Sequence, residues 1–389
     1  MKGNNIKSIY FFLIILFILI IFKNNKNYEI GLNKELRNQK KKMKIIEKYF
    51  KICNNGIVLN KNEFKKVKEP KISIISPIYN KEKSILRFLR SIQNQFFDDI
   101  EIILIDDHSK DNTIKIIENI QKEDERIILI KHNENKGTLI SRNEGAIISK
   151  SKYLIFADPD DILSNDVLSF SYETIEKNNY DIVRYNIYIG NNKISLDSIV
   201  NEIKSKPIYQ PELSLYIFYG TGELIQNDYF IWNKIIKRKI FIYAINLLNN
   251  YYLQQYMIDC EDGLINFILY KTAKSYFFIK KIGYYYILND NSITLKSREN
   301  LKKTLKSNFL YFKFMFENTK NNKIEKKIAE YIFCSIYENY KSYIYMMLKE
   351  IKEDLQFYKD VINLYLNNDY ISLKTKIIFI KIKYNCSLI

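Results

Sequence analysis

Lys71-Ile72-Ser73-Ile74-Ile75-Ser76-Pro77 decides how the chain is read. It is a short β-branched run, and the next segment changes period. From Glu82 to Gln95 the apolar residues Ile85, Leu86, Leu89 and Ile92 recur at helical spacing. The alternation then repeats. Ile100 to Ile105 reads as strand, Thr113 to Ile120 as helix, Ile127 to Ile130 as strand and Thr138 to Ser149 as helix. Tyr153 to Ala157 and Asp181 to Tyr188 read as further strands. Apolar strands alternating with amphipathic helices predict an α/β fold, a mostly parallel sheet with helices on both faces. Ligands of such sheets bind beyond the C-terminal strand ends, where the polar clusters Tyr79-Asn80, Asp106-Asp107 and Asp158-Pro159-Asp160-Asp161 fall.

Composition limits what such a sheet can serve. The 389 residues carry 61 Lys and Arg against 44 Asp and Glu, a net charge of +17. The excess is local: residues 1–71 hold 17 basic and 5 acidic side chains, which leaves 44 against 39 for the remainder. A nucleic-acid reader concentrates positive charge on its folded domain, so no nucleic-acid partner is expected. Cys53, Cys260, Cys334 and Cys386 form no CxxC pair and the chain has 2 histidines, which argues against structural zinc and a disulfide framework.

Ahead of the core, Ile9 to Phe22 is an uninterrupted apolar run of 14 residues, or 17 counted from Ile6 with Lys7 snorkelling. It ends in Phe22-Lys23-Asn24-Asn25 without a small-x-small cleavage site, so residues 1–22 are expected to be an uncleaved, single-pass signal anchor. Residues 23–70 read as a basic stem. The lysines that follow the run favour a cytoplasmic body, but long domains translocate largely regardless of charge. The layout is like that of secretory-pathway transferases, which gives the expectation of a lumenal enzyme of the Golgi or endoplasmic reticulum membrane. The sequon Asn385-Cys386-Ser387 does not decide between the two.

Three acidic clusters could carry chemistry. In extended chain, Asp158 and Asp160 project to one side with Asp161 turned aside. Paired carboxylates suit a hard divalent cation that also meets phosphate oxygens. A polar turn in which Asp caps the next helix competes evenly with that reading. Asp106-Asp107-His108-Ser109-Lys110-Asp111 ends a strand. Ser109 or Asp111 can cap the following helix, but capping does not account for two adjacent carboxylates, which suit ribose hydroxyls or a base N–H. The same acidic pair also occurs in phosphorelay receivers, which are much shorter chains. Asp259-Cys260-Glu261-Asp262-Gly263 precedes an apolar helix, Leu264 to Tyr270. Its acids suit a helix N-terminus, and one of them could equally serve as a general base. Trp232 reads as a packing residue, and Gly220-Thr221-Gly222 is too short for a phosphate loop.

Taken in order, these segments resemble the inverting family 2 glycosyltransferases of the GT-A fold. The resemblance runs from Ile72 to Thr294. It rests on Ser76-Pro77-Ile78-Tyr79-Asn80, on Asp106 to Thr113, and on Asn135-Lys136-Gly137 with Ser141-Arg142-Asn143-Glu144-Gly145. It continues through Asp158 to Asp161, Trp232-Asn233-Lys234, Glu261-Asp262 and Tyr284 to Thr294. His108 departs from the family, which often has Gly there. The resemblance implies a nucleotide-sugar donor, UDP-linked first, and a glycan, lipid or protein acceptor. Pro77, Tyr79 and Asp107 would line the nucleoside pocket with Asp106 in support, and Arg142 would lie near the donor. Asp158 would face ribose and diphosphate and, with Asp160, hold Mg²⁺ or Mn²⁺. Asp262 would be the base, with Glu261 beside it. The transferase domain is then 71–297, followed by a C-terminal helical region, 298–389. In that region Leu301, Leu305, Phe309 and Phe312 share a face, and residues 371–389 are too rich in Lys for a second span. Competing classes are a catalytically silent GT-A-like domain that binds glycans or partners, and a basic peripheral scaffold held by residues 1–71.

Overall fold

The computed structural model describes residues 44–59, 63–190, 207–210, 213, 230–248, 257, 260–288 and 301–319. The anchor expected over 1–22 and most of the C-terminal region lie outside them. Among the described residues no helix is long and apolar enough to cross a membrane.

The first strands are the apolar runs of the sequence. β1 (Ile72–Ile78), β2 (Ile100–Asp106), β3 (Ile127–Lys131) and β4 (Tyr153–Phe156) pair in parallel, β1 lying between β2 and β4 and β3 outside β2. A helix over 44–54, called α1, precedes them, and α2 (Ile85–Gln93), α3 (Thr113–Gln121) and α4 (Thr138–Ile148) connect them. β1, β2 and β4 are buried on both faces apart from partly exposed Pro77, which is why they read as continuous apolar stretches. Gly145 sets how closely α4 lies on β1, since a Cβ there would stand 2.5 Å from Cγ2 of Ile75. That approach brings the helix, and Arg142 with it, onto the sheet.

Beyond β4 the sheet changes direction. β5 (Ile162–Leu163) leads to α5 (Val167–Asn178), and β6 (Ile182–Gly190), β7 (Ile208–Tyr209) and β8 (Lys234–Lys237) follow. α6 (Arg238–Leu247), α7 (Glu261–Thr272), β9 (Ser275–Ile287) and α8 (Leu301–Asn318) complete the described elements. The strand order is β3-β2-β1-β4-β8-β6-β9-β5, with β7 also on β9. β8 is antiparallel to both β4 and β6, so the expected parallel sheet holds for its first half and becomes mixed in its second. On α8 the buried side chains include Leu310, Tyr311, Phe314 and Met315. The side chains of Leu301, Leu305, Phe309 and Phe312 lie outside the described set.

The stretch read as a stem is partly built into the body. Ile46, Tyr49, Phe50 and Cys53 of α1 recur at helical spacing and are buried against Ile162, Tyr188, Tyr285 and Ile287. Burial there pushes the Cys53 thiol up to about 11 and leaves it unreactive. Phe64 bridges to Asp124, and Arg126 lies over the Phe64 ring at 4.3 Å.

Candidate active site

The loops after β1 and β2 form one platform. The Asn80 amide donates to Ser109 Oγ (2.9 Å) and the Lys110 amide to Asn80 Oδ1 (2.8 Å). Glu82 N–H donates to Asp111 Oδ2 (3.0 Å), and Asn112 returns two bonds to Glu82 Oε2, both 3.1 Å. Asn80 and His108 take φ of 50° and 72°, so His108 stands at a left-handed turn that glycine adopts without strain. Tyr79 leaves this platform 45% exposed.

Of the acidic pair expected at the nucleoside pocket, Asp107 has both oxygens hydrogen-bonded within the protein. Oδ1 accepts from Lys136 N–H (2.7 Å) and meets His132 Nδ1 (2.8 Å), and Oδ2 accepts from Gly137 N–H (2.8 Å). Asp107 therefore fastens the turn that starts α4, where Gly137 has φ 92°. Asp106 accepts the Ser109 amide on Oδ2 (3.1 Å), while its buried Oδ1 has no partner among the described residues. Side chains on adjacent strand residues point to opposite faces, so only one of the pair can reach the α4 turn.

At the centre lies Arg142, 2% exposed, with three carboxylates around it. One terminal nitrogen donates to Asp262 Oδ1 and reaches Glu261 Oε1 at 3.4 Å, and the other donates to Asp158 Oδ1 at 3.0 Å. Burial opposes the guanidinium charge, but Asp262, Asp158 and Glu261 outweigh it, so the group is more firmly protonated than a free arginine. Asp262 and Glu261 occupy the first turn of α7, where the helix dipole favours acids. Asp262 Oδ2 also accepts the Ile231 N–H at 3.1 Å. Burial pushes the Asp158 carboxyl up, Arg142 pulls it down, and Asp262 and Asp160 add to the rise, which leaves it above the ordinary range.

Asp160 turns to a different cation, Lys81 Nζ at 2.7 Å, and its carbonyl accepts from Arg87 at 2.5 Å. Asp161 points into the body, as expected. Its Oδ2 accepts from Tyr284 Oη (2.8 Å) and its Oδ1 from the Ile287 N–H (2.8 Å). Tyr284 Oη in turn accepts the Asp158 N–H at 3.0 Å, and Trp232 stacks on its ring at 4.4 Å. Tyr284→Phe would leave the Asp158 amide and the Asp161 carboxyl each without this partner. Chemical denaturation is expected to show a loss of about 1–3 kcal/mol.

Burial, reinforced by Asp160 and Asp158, raises the Asp161 carboxyl well above its usual value. A carboxyl raised on folding adds stability that is complete below its unfolded pKa and is lost as pH rises through its folded one. The melting-temperature advantage of the wild type over Asp161→Asn is therefore expected to grow as pH falls. A constant difference would show that Asp161 does not titrate in the folded protein.

The structure gathers Arg142, Asp158, Glu261 and Asp262 into direct contact and places Asp160 one turn residue away. Pro77, Tyr79, Asp106 and Asp107 stand at the neighbouring strand ends. The sequence reading missed Lys81, Arg87 and His132. His132 was visible as one of 2 histidines, at the end of an apolar run. Lys81 and Arg87 are unmarked among many basic residues.

The sequence profile described as Glycosyl transferase family 2 matches residues 73–241, a span that holds the platform, the Asp107-bound turn and the Asp158–Asp161 loop. The chain is a glycosyltransferase of the GT-A fold, with its family 2 match confined to residues 73–241. Among its curated relatives is the GalNAc(5)-diNAcBac-PP-undecaprenol beta-1,3-glucosyltransferase of Campylobacter jejuni, 27% identical over 72% of this chain and 88% of the relative. Another is the processive diacylglycerol beta-glycosyltransferase of Mycoplasma pneumoniae, 26% identical over 66% of this chain and 77% of the relative. TarS of S. aureus, residues 1–349 in complex with UDP-GlcNAc, shares the fold of this glycosyltransferase. Its TM-score is 0.56 at 17% identity, over 81% of this chain and 88% of that one.

Proposed function

We propose that the protein is a membrane-anchored inverting transferase that moves a sugar from a nucleotide donor, a UDP-sugar first, to a hydroxyl of a glycan or lipid. The observation that carries the reading is the convergence of Asp262, Glu261 and Asp158 on the buried Arg142 at the C-terminal end of the parallel strands. The complex of TarS with UDP-GlcNAc supports the donor class. The undecaprenol- and diacylglycerol-directed names of the two relatives support a lipid-linked acceptor.

In this reading the base ring of the donor lies against Tyr79, next to Pro77 and Asp107 with Asp106 in support. Asp262 receives the proton of the acceptor hydroxyl as its oxygen bonds to the anomeric carbon. The bond from that carbon to the diphosphate oxygen breaks on the opposite face, and configuration inverts. Each Asp262 oxygen takes one protein hydrogen bond, and a carboxylate has about four acceptor sites, so lone pairs remain for the proton. Arg142 holds Asp262 in place.

A divalent cation fits the two carboxylates. Asp158 and Asp160 are each tied through one oxygen, to Arg142 and Lys81, and each keeps a second oxygen for a hard ion. Among the described residues no three His, Cys, Asp or Glu side chains form a cage, so phosphate oxygens of the donor would complete the shell. Bound there, Mg²⁺ or Mn²⁺ would neutralise charge on the leaving diphosphate.

The test is thermal stability of the full chain in detergent with UDP, GDP or CMP, each with and without Mn²⁺. A nucleotide at 100 times its dissociation constant is expected to add about 2.7 kcal/mol. A shift with UDP that grows with Mn²⁺ supports the proposal. No shift with any nucleotide would move the reading to a silent glycan-binding domain.

A further inference from the structure

His132 sits at the end of β3 between two carboxylates. Its Nδ1 is 2.8 Å from Asp107 Oδ1 and its Nε2 is 2.6 Å from Glu144 Oε2 on α4. The other Glu144 oxygen accepts Lys136 Nζ at 3.1 Å, and the His132 amide donates to the Asp106 carbonyl at 2.8 Å. The ring is nearly buried, at 7% exposure. A neutral imidazole has one donor and one acceptor, and an ionised carboxylate only accepts. Two carboxylate contacts therefore require a proton on each ring nitrogen.

We propose that His132, as an imidazolium, is a positioning residue that clamps Asp107 to Glu144 and thereby sets the 132–137 turn bordering the donor side of the site. The groups facing the ring assign the protons. Asp107 already accepts the Lys136 and Gly137 amides, which suits a carboxylate. Burial pushes the Glu144 carboxyl up, but bonds from His132 and Lys136 outweigh it and hold it below the ordinary glutamate range. Removal of the ring removes both contacts, 2.8 Å to Asp107 and 2.6 Å to Glu144. Asp107 then loses part of its hold on the Lys136 and Gly137 amides. Because α4 starts at this turn, the change reaches Arg142 on the same helix. The link to nucleotide binding rests on the function proposed above, whereas the clamp itself does not.

Hydrogen exchange at the Lys136 and Gly137 amides, corrected for intrinsic rate, tests the clamp without any ligand. At a single pH, His132→Gln in the full chain is expected to lose about tenfold in protection relative to the wild type, the size of one charge-assisted hydrogen bond. Glu144→Gln keeps an amide that can still pair with Nε2, so it is expected to retain most of the protection. Wild-type protection in His132→Gln, or a loss in Glu144→Gln as large as in His132→Gln, overturns the proposal. UDP affinity measured on the same three proteins is expected to follow the protection. An intact clamp with no UDP binding leaves the clamp standing and removes the donor reading.

Discussion

Asp262→Asn is expected to lower kcat by about 10²–10⁴-fold while the Kd for nucleotide changes little. The substitution preserves shape and leaves an oxygen for either Arg142 or the Ile231 N–H, so the first turn of α7 should stay in place. It removes the site that would take the hydroxyl proton, because an amide oxygen has negligible basicity at neutral pH. It also removes one of three negative charges around Arg142, and Asp158 and Glu261 keep two. Single-turnover rates and nucleotide Kd measured on the same preparation separate the possibilities. A collapse of both together would mean that Asp262 holds the site in shape and is not the base. Transfer at the wild-type rate would move the role to Glu261, whose oxygen lies 3.4 Å from the same Arg142 nitrogen.

The first half of the fold was legible for a physical reason. β1, β2 and β4 have neighbours on both faces, so their side chains form unbroken apolar runs that survive without an alignment. β8 hid because its sequence is Lys-Ile-Ile-Lys with both lysines buried. Lys237 is held by Asp181 Oδ1 at 2.8 Å and the Asn179 carbonyl at 2.8 Å, and Lys234 by Asn233 Oδ1 at 2.8 Å. Those partners are 1 to 58 residues away, and no local pattern announces that a lysine will be satisfied inside. α1 was hidden differently. Its apolar stripe is regular, but it lies in a Lys-rich stretch whose charge dominated the reading.

The site was legible as residue types at strand ends, since Asp106, Asp107, Asp158 and Asp160 follow apolar runs directly. Who binds whom was not, because the partners of Asp106 and Asp107 depend on which face α4 covers. His132 gained its meaning only when β3 and α4 brought it between two acids.

Removal of Arg142 is expected to have the largest effect on the folded protein. Arg142→Ala leaves Asp158, Glu261 and Asp262 gathered without their shared cation, and breaking a buried ion pair from one side typically costs about 3–5 kcal/mol. The three acids come from two separate elements, the loop after β4 and the start of α7. Repulsion would drive these apart and take up protons, the more so because Asp158 already sits above the ordinary aspartate range. Arg142→Lys distinguishes charge from geometry. A lysine restores one positive charge but lacks the planar fork that reaches Asp158 with one nitrogen and Asp262 with the other. It is expected to recover most of the stability and to leave transfer depressed by about 10²–10³-fold, the scale of losing one preorganised donor at a charged centre. Urea denaturation of both variants, with transfer assays on the lysine variant, provides the check. A lysine variant with wild-type turnover would show that the positive charge alone matters. An alanine variant as stable as the wild type would mean that the three carboxylates are not held against repulsion, and would remove Arg142 from the centre of the site.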